Sequence, residues 1–158
     1  MSTTQKQDGN DHLSTNDDSI SQTLYIIVKR GDPIDSYSLR HTSFWVEFSD
    51  GRNLLSHVCG AASFFEFEER WNETQPQESR HFERIIPVIT VRTTADDMTI
   101  RDTLRGTPVN NKERSWNFQT WIGDGLKRLQ EAKLLQEVNT VSAADQMVDV
   151  LLEAPDED

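Results

Sequence analysis

Apolar and polar positions alternate along much of the first two thirds of the chain, and that period of two predicts strands. Thr23-Leu-Tyr-Ile-Ile-Val28 is a short run rich in β-branched and aromatic residues, closed by Gly31-Asp32-Pro33, and reads as the first strand. Arg40 to Phe48 alternates and then meets Asp50-Gly51, a dipeptide suited to a two-residue hairpin turn. That turn pairs Phe48 with Asn53, Val46 with Leu55 and Phe44 with His57. It sets Thr42, Phe44, Val46 and Phe48 on one face and His41, Ser43, Trp45 and Glu47 on the other. Ser63 to Phe67 reads as a third hairpin member, followed by a polar loop from Asn72 to Ser79 that holds Pro76. Glu83 to Arg92 is a further strand, and Pro87, which lacks an N–H, requires either a sheet edge or a bulge there.

Beyond this point the period changes to that of a helix. Thr94 to Asp97 has the form of a capping box opening a short helix with Ile100 and Leu104 four apart, ended by Gly106 and Pro108. Ser115 then caps the strongest helix, Ser115 to Leu135. Its Phe118, Trp121, Ile122, Leu126 and Leu129 form one stripe, and Lys127, Arg128 and Lys133 lie toward the C-terminus, where the macrodipole favours cations. Ser142-Ala-Ala-Asp145 caps a last helix carrying Met147, Val148, Val150, Leu151 and Leu152, expected either to dock on the domain or to meet a partner. The expected fold is α+β: an antiparallel β-sheet of four to six strands packed against a long C-terminal helix and one or two shorter helices. Residues 1–22 are polar and almost without apolar side chains, hence an expected disordered segment. Residues 23–140 form the single domain, and 141–158 an acidic helix and tail.

Composition narrows the function. A chain of 158 residues can bury one core without staples, and with a single cysteine, Cys59, neither an intramolecular disulfide nor a cysteine-based zinc site is expected. No leader-like or membrane-spanning apolar run is visible, so the expectation is a soluble cytoplasmic protein, in which the Asn72-Glu73-Thr74 sequon is accidental. The net charge of −11 is concentrated at the ends: residues 1–22 carry one lysine and four aspartates, net −3, residues 141–158 carry six acids and no base, net −6, and 23–140 keep −2. Acidic ends argue against nonspecific nucleic-acid binding. A membrane partner is likewise not expected, and nothing excludes a homodimer.

Of the four histidines, His12 lies in the polar end and His81 beside a polar loop, and His57 reads as a half-buried strand residue. His41 opens a strand on a face shared with Ser43, Trp45 and Glu47, where an imidazole can serve as acid or base. Cys59, between Val58 and Gly60, has no helix N-terminus to lower its pKa and on the two-residue-turn register faces away from His41, so it reads as a structural thiol. No metal-ligand spacing and no glycine-rich phosphate loop is present, and no metal or other cofactor is expected.

One arrangement carries more. A strand beginning Arg40-His41-Thr42-Ser43-Phe44-Trp45-Val46 precedes a helix beginning Ser115-Trp116-Asn117-Phe118-Gln119-Thr120-Trp121-Ile122. That order resembles the circularly permuted papain-like superfamily, which includes the PPPDE peptidases and the lecithin:retinol acyltransferase-like proteins. It is also similar to small fungal proteins whose helix opens with Trp-Asn-Cys-Gln. In the superfamily a strand histidine faces a cysteine at a helix start, where the helix dipole favours the thiolate. The resemblance places His41 on the family histidine and Asn117 just before the nucleophile, but the nucleophile position is Phe118, so neither a cysteine peptidase nor a thiol acyltransferase is implied. It implies instead a small-molecule enzyme of cyclase, isomerase or lyase type, of the kind found in fungal secondary metabolism, with His41 and Asn117 catalytic. Ser43, Trp45, Glu47, Trp116, Phe118 and Trp121 would bind the substrate. The alternative is a catalytically inactive papain-like binding or interaction module. On a third reading, Phe118 is simply the first core residue of its helix and the Asn117 match is chance. An open hollow shared by His41 and Asn117 would favour the enzyme, and aromatic rings filling that space would disfavour it.

Overall fold

The computed structural model describes residues 18–158. Five strands, β1 (Ser19–Lys29), β2 (His41–Phe48), β3 (Asn53–Cys59), β4 (Glu66–Trp71) and β5 (Phe82–Thr94), are followed by three helices, α1 (Thr99–Arg105), α2 (Phe118–Glu131) and α3 (Glu137–Leu152). The strands form one antiparallel sheet in the order β4-β3-β2-β1-β5. The expected α+β class, with helices packed on an antiparallel sheet, is what the chain adopts.

The core lies between one sheet face and the helices. Leu24, Ile26 and Val28 of β1 and Phe44 and Val46 of β2 point toward Leu104, Trp121, Ile122, Leu126 and Leu129. α2 is the central contact. Phe44 lies edge-on to Trp121 with centroids 5.7 Å apart, and a Cβ on Gly125 would stand 2.7 Å from the Phe44 ring, so the helix approaches β2 as closely as a glycine permits. α3 joins the same core through Ala143, Met147, Val150 and Leu151 and runs across the 140/141 boundary that composition had marked. The acidic tail after it docks: an Asp156 carboxylate oxygen accepts from Asp35 N–H at 2.8 Å, and Asp158 accepts from the Ser38 hydroxyl at 2.8 Å.

Several boundaries move for identifiable reasons. β1 begins at Ser19, because its polar first residues pair with the far end of β5, Ser19 opposite Thr94, and because Gln22 is buried with its amide donating to the Asp97 carbonyl at 2.9 Å. The expected disorder of 1–22 otherwise falls outside the described residues, as does His12. Pro87 satisfies both of its options, since β5 is an edge strand and the β1–β5 register shifts between Leu24 and Tyr25, opposite Ile89 and Pro87. The third hairpin member is β4, starting at Glu66 rather than Ser63. Thr94 to Asp97 forms a turn, not a helix cap, and α1 starts at Thr99. Asn117 rather than Ser115 caps α2, accepting from Gln119 N–H and Thr120 N–H in a complete capping box. α3 opens at Gln136 and not at Ser142, after a break in which Lys133 takes φ 66°.

The β2–β3 hairpin departs furthest from the expected register. Gly51 N–H donates to the Phe48 carbonyl at 3.0 Å and Phe48 N–H to the Arg52 carbonyl at 2.9 Å, with Gly51 at φ 102°. The loop therefore has three residues, Ser49-Asp50-Gly51, the bulged form in which glycine supplies the left-handed position. Every pair slips by one: Glu47 stands opposite Asn53, Trp45 opposite Leu55 and Phe44 opposite Ser56. His57 and Cys59 consequently move to the face of β2 that carries His41.

Gly125→Val should destabilise the domain by about 1–3 kcal/mol through overpacking against Phe44. In urea this reads as a lower midpoint with an unchanged slope; a midpoint equal to that of the wild type would contradict the close seat of α2 on β2.

Candidate functional site

The β2–β3 ladder ends at Phe44 opposite Ser56, yet β2 starts at His41 and β3 continues to Cys59, now paired with β4. Beyond the last rung the two strands separate, and two imidazoles meet across the separation. His41 Nε2 and His57 Nδ1 are 2.8 Å apart, His57 Nε2 is 2.6 Å from Glu68 Oε1, and Arg70 Nη2 donates to Glu68 Oε2 at 3.1 Å. Glu68 is the direct cross-strand partner of His57. Its carboxyl is held below the ordinary carboxylate range, first by the His57 hydrogen bond and also by Arg70. An ionised Glu68 can only accept, so His57 carries its proton on Nε2. With His57 neutral, its Nδ1 accepts from His41 Nε2–H, and His41 Nδ1 is left as a bare acceptor.

His41 is held against the first turn of α2. Gln119 donates from its amide to the Tyr37 carbonyl at 2.6 Å and to the Arg40 carbonyl at 3.1 Å, tying that turn to the backbone just before β2. The Phe118 ring lies 5.0 Å from the His41 ring, tilted by 59°. Phe65 follows 6.0 Å from Phe118, and Trp116 follows 5.7 Å from Phe65. Burial, then His57, then Lys29 lower the His41 pKa to about 3, so the ring is neutral at ordinary pH.

The remaining expected site residues are distributed over three places. Ser43 and Trp45 line a cleft of about 310 Å3 on the sheet face away from the helices, with Ile27, Leu55 and His57 also in its floor and the 73–79 segment across it. Asn53 pins that segment, its side chain accepting from Glu73 N–H at 2.8 Å and donating to the Glu73 carbonyl at 3.2 Å. Glu47 accepts from Trp45 Nε1 at 3.1 Å. Asn117 borders a different depression, with Tyr37, Ser38 and Met147, and its carboxamide oxygen is committed to capping α2. Trp116 donates to Asp124 at 3.2 Å and packs on Phe65. Trp121 is fully buried, its indole donating to the Thr107 carbonyl at 3.2 Å, which makes it core rather than a ligand contact. His41 and Phe118 thus meet, but the Phe118 ring packs directly on the imidazole and Asn117 borders a separate depression, so the expected hollow shared by His41 and Asn117 does not form.

Residues 24–136 match the model of a protein family described as a family of unknown function, DUF6540. The chain belongs to that family. No curated protein and no solved structure matches the chain. The DUF6540 match runs from β1 into the turn before α3, so the His41–His57–Glu68 line, the cleft and the first turn of α2 all fall inside it. His57, Glu68 and Arg70 escaped the sequence reading because one turn residue decides which face β3 presents. Ser49 ahead of Asp50-Gly51 permits a three-residue loop as well as a two-residue one, so the local sequence does not choose between them.

Because the unfolded His41 binds a proton below about 6.5 and the folded one only near 3, stability should fall as pH drops through that window. His41 alone contributes a slope of up to about 1.4 kcal/mol per pH unit, flat above the window and again below it. Urea unfolding in chelator-containing buffer at successive pH values should show His41→Gln with a shallower slope than wild type; parallel slopes would contradict the buried neutral imidazole.

Proposed function

We propose that this DUF6540 domain is a catalytically inactive relative of the permuted papain-like hydrolases that binds a small organic carboxylate in the cleft over Ser43, Trp45 and His57. The reading rests on one observation: the position facing His41 at the start of α2 holds the Phe118 ring, packed 5.0 Å from the imidazole. A phenyl ring is no nucleophile, and its contact takes the space in which a substrate would approach His41. The cleft on the other face offers what the helix start lacks. Ile27, Trp45 and Leu55 give it apolar walls, and its charged lining is Lys29 and Arg70 together with Glu73 and Glu78. Arg70 is engaged by Glu68 and Glu73, whereas among the described residues Lys29 has no ion-pair partner. A flat apolar body carrying one carboxylate fits that combination.

A saturation-transfer NMR screen of aromatic and aliphatic carboxylic acids against the full chain tests this. Binding acids should be displaced by Leu55→Trp, which fills the cleft, and weakened about fivefold by Lys29→Ala, the scale of one partly exposed ionic contact. Acids that bind Leu55→Trp as well as wild type, or a screen without binders, would overturn the proposal.

The hydrogen-bonded line from Glu68 through His57 to the bare His41 Nδ1 favours a second reading, a cofactor-independent cyclase, isomerase or lyase that moves a proton at His41. Metabolite profiles of a producing strain with the wild-type gene, with His41→Ala and without the gene would then differ; three identical profiles would remove it.

A further inference from the structure

We propose that His57, Cys59 and Glu68 form a binding site for one zinc-class divalent transition-metal ion, on the outer face of the β3–β4 ladder. His57 and Cys59 are two residues apart on β3 and so share a face, and Glu68 stands directly opposite His57 on β4. A ring nitrogen of His57, the Cys59 sulfur and a Glu68 carboxylate oxygen all lie within 4.8 Å of one another. Zinc bonds of about 2.0–2.3 Å in a tetrahedron hold neighbouring donors about 3.5 Å apart, so small side-chain rotations close the site without moving the strands. Nitrogen, thiolate and carboxylate together are donors for zinc or its neighbours in the first transition row rather than for calcium or magnesium.

The surroundings point the same way. Metal-bound imidazoles and carboxylates are ordinarily oriented by a second hydrogen bond. On metal binding both neutral rings take their Nδ1–H tautomers, so that His57 Nδ1–H donates to His41 Nε2 while Arg70 engages Glu68 Oε2; His57 Nε2 and Glu68 Oε1 are then open to the ion, and Cys59 gives its proton to solvent. The ion would replace the 2.6 Å contact between those two atoms. All three side chains are only partly buried, so an ion can enter and water can complete four-coordination. The site departs from the expectation that a lone cysteine rules out cysteine-based zinc binding, because a mixed nitrogen, sulfur and oxygen set needs only one thiolate. The inference does not depend on the carboxylate proposed for the cleft, although His57 borders both.

The test uses the full chain stripped of metal by chelator dialysis and titrated with Co2+, followed by absorption spectroscopy. One equivalent of Co2+ should raise a sulfur-to-cobalt charge-transfer band in the near ultraviolet, and Zn2+ should abolish it by displacement. Cys59→Ser, a near-isosteric change at a partly exposed position, should lose that band while keeping the far-ultraviolet circular dichroism of the wild type. Glu68→Gln should weaken Co2+ binding about tenfold or more, and so should His41→Phe, by removing the group that orients His57. Co2+ titration without a charge-transfer band, or a band that survives in Cys59→Ser, would overturn the site.

Discussion

The register between β2 and β3 hangs on one backbone contact, the Gly51 N–H donating to the Phe48 carbonyl, which closes the hairpin over three residues. Because side chains alternate at every residue, that choice decides which half of β3 faces the helices and which faces outward. With three loop residues, Leu54, Ser56 and Val58 go to the helix side, where all three are buried, and Leu55, His57 and Cys59 go outward. The cleft floor, the paired imidazoles and the contact with Glu68 all follow from it.

A second set of contacts brings this arrangement to the helix. Arg40, 3% exposed, donates to both carboxylate oxygens of Asp35 at 2.8 Å and to the Val150 carbonyl at 2.8 Å, fixing the residue before His41 to α3. Such a buried pair adds little net stability over an apolar substitute, but it leaves few other geometries for the groups it joins. Gln119 bonds the Arg40 carbonyl from the opposite side, and Asn117 caps the helix that carries Gln119. His41 is held between these anchors, so its contact with Phe118 belongs to the framework of the domain.

The elements whose signal is carried by many residues were legible in the sequence: the apolar run of β1, the alternation of β2, the stripe of α2, and with them the α+β class. Features decided by one or two residues were not. A three-residue loop and a two-residue loop share the Asp50-Gly51 dipeptide, and choosing between them takes the whole sheet. Ser19 to Gln22 carry no strand signal of their own and are extended because β5 offers them partners. Asn117 and Ser115 are both good caps, and the capping box with Thr120 selects the first. Among the site residues, His41 could be singled out because it opens a strand, whereas His57 and Glu68 acquire their roles only through pairing. Trp121 has the composition of a pocket wall but the position of a core residue.

A neutral His41, hydrogen-bonded to His57 and shielded by Phe118, joins the sheet to the helix start. Nitrogen-detected NMR of the 15N-labelled imidazoles addresses this most directly. A through-hydrogen-bond coupling between His41 Nε2 and His57 Nδ1 is expected, together with His41 shifts of a neutral ring that persist well below pH 6. A His41 that titrates near 6.5 without such a coupling would contradict it.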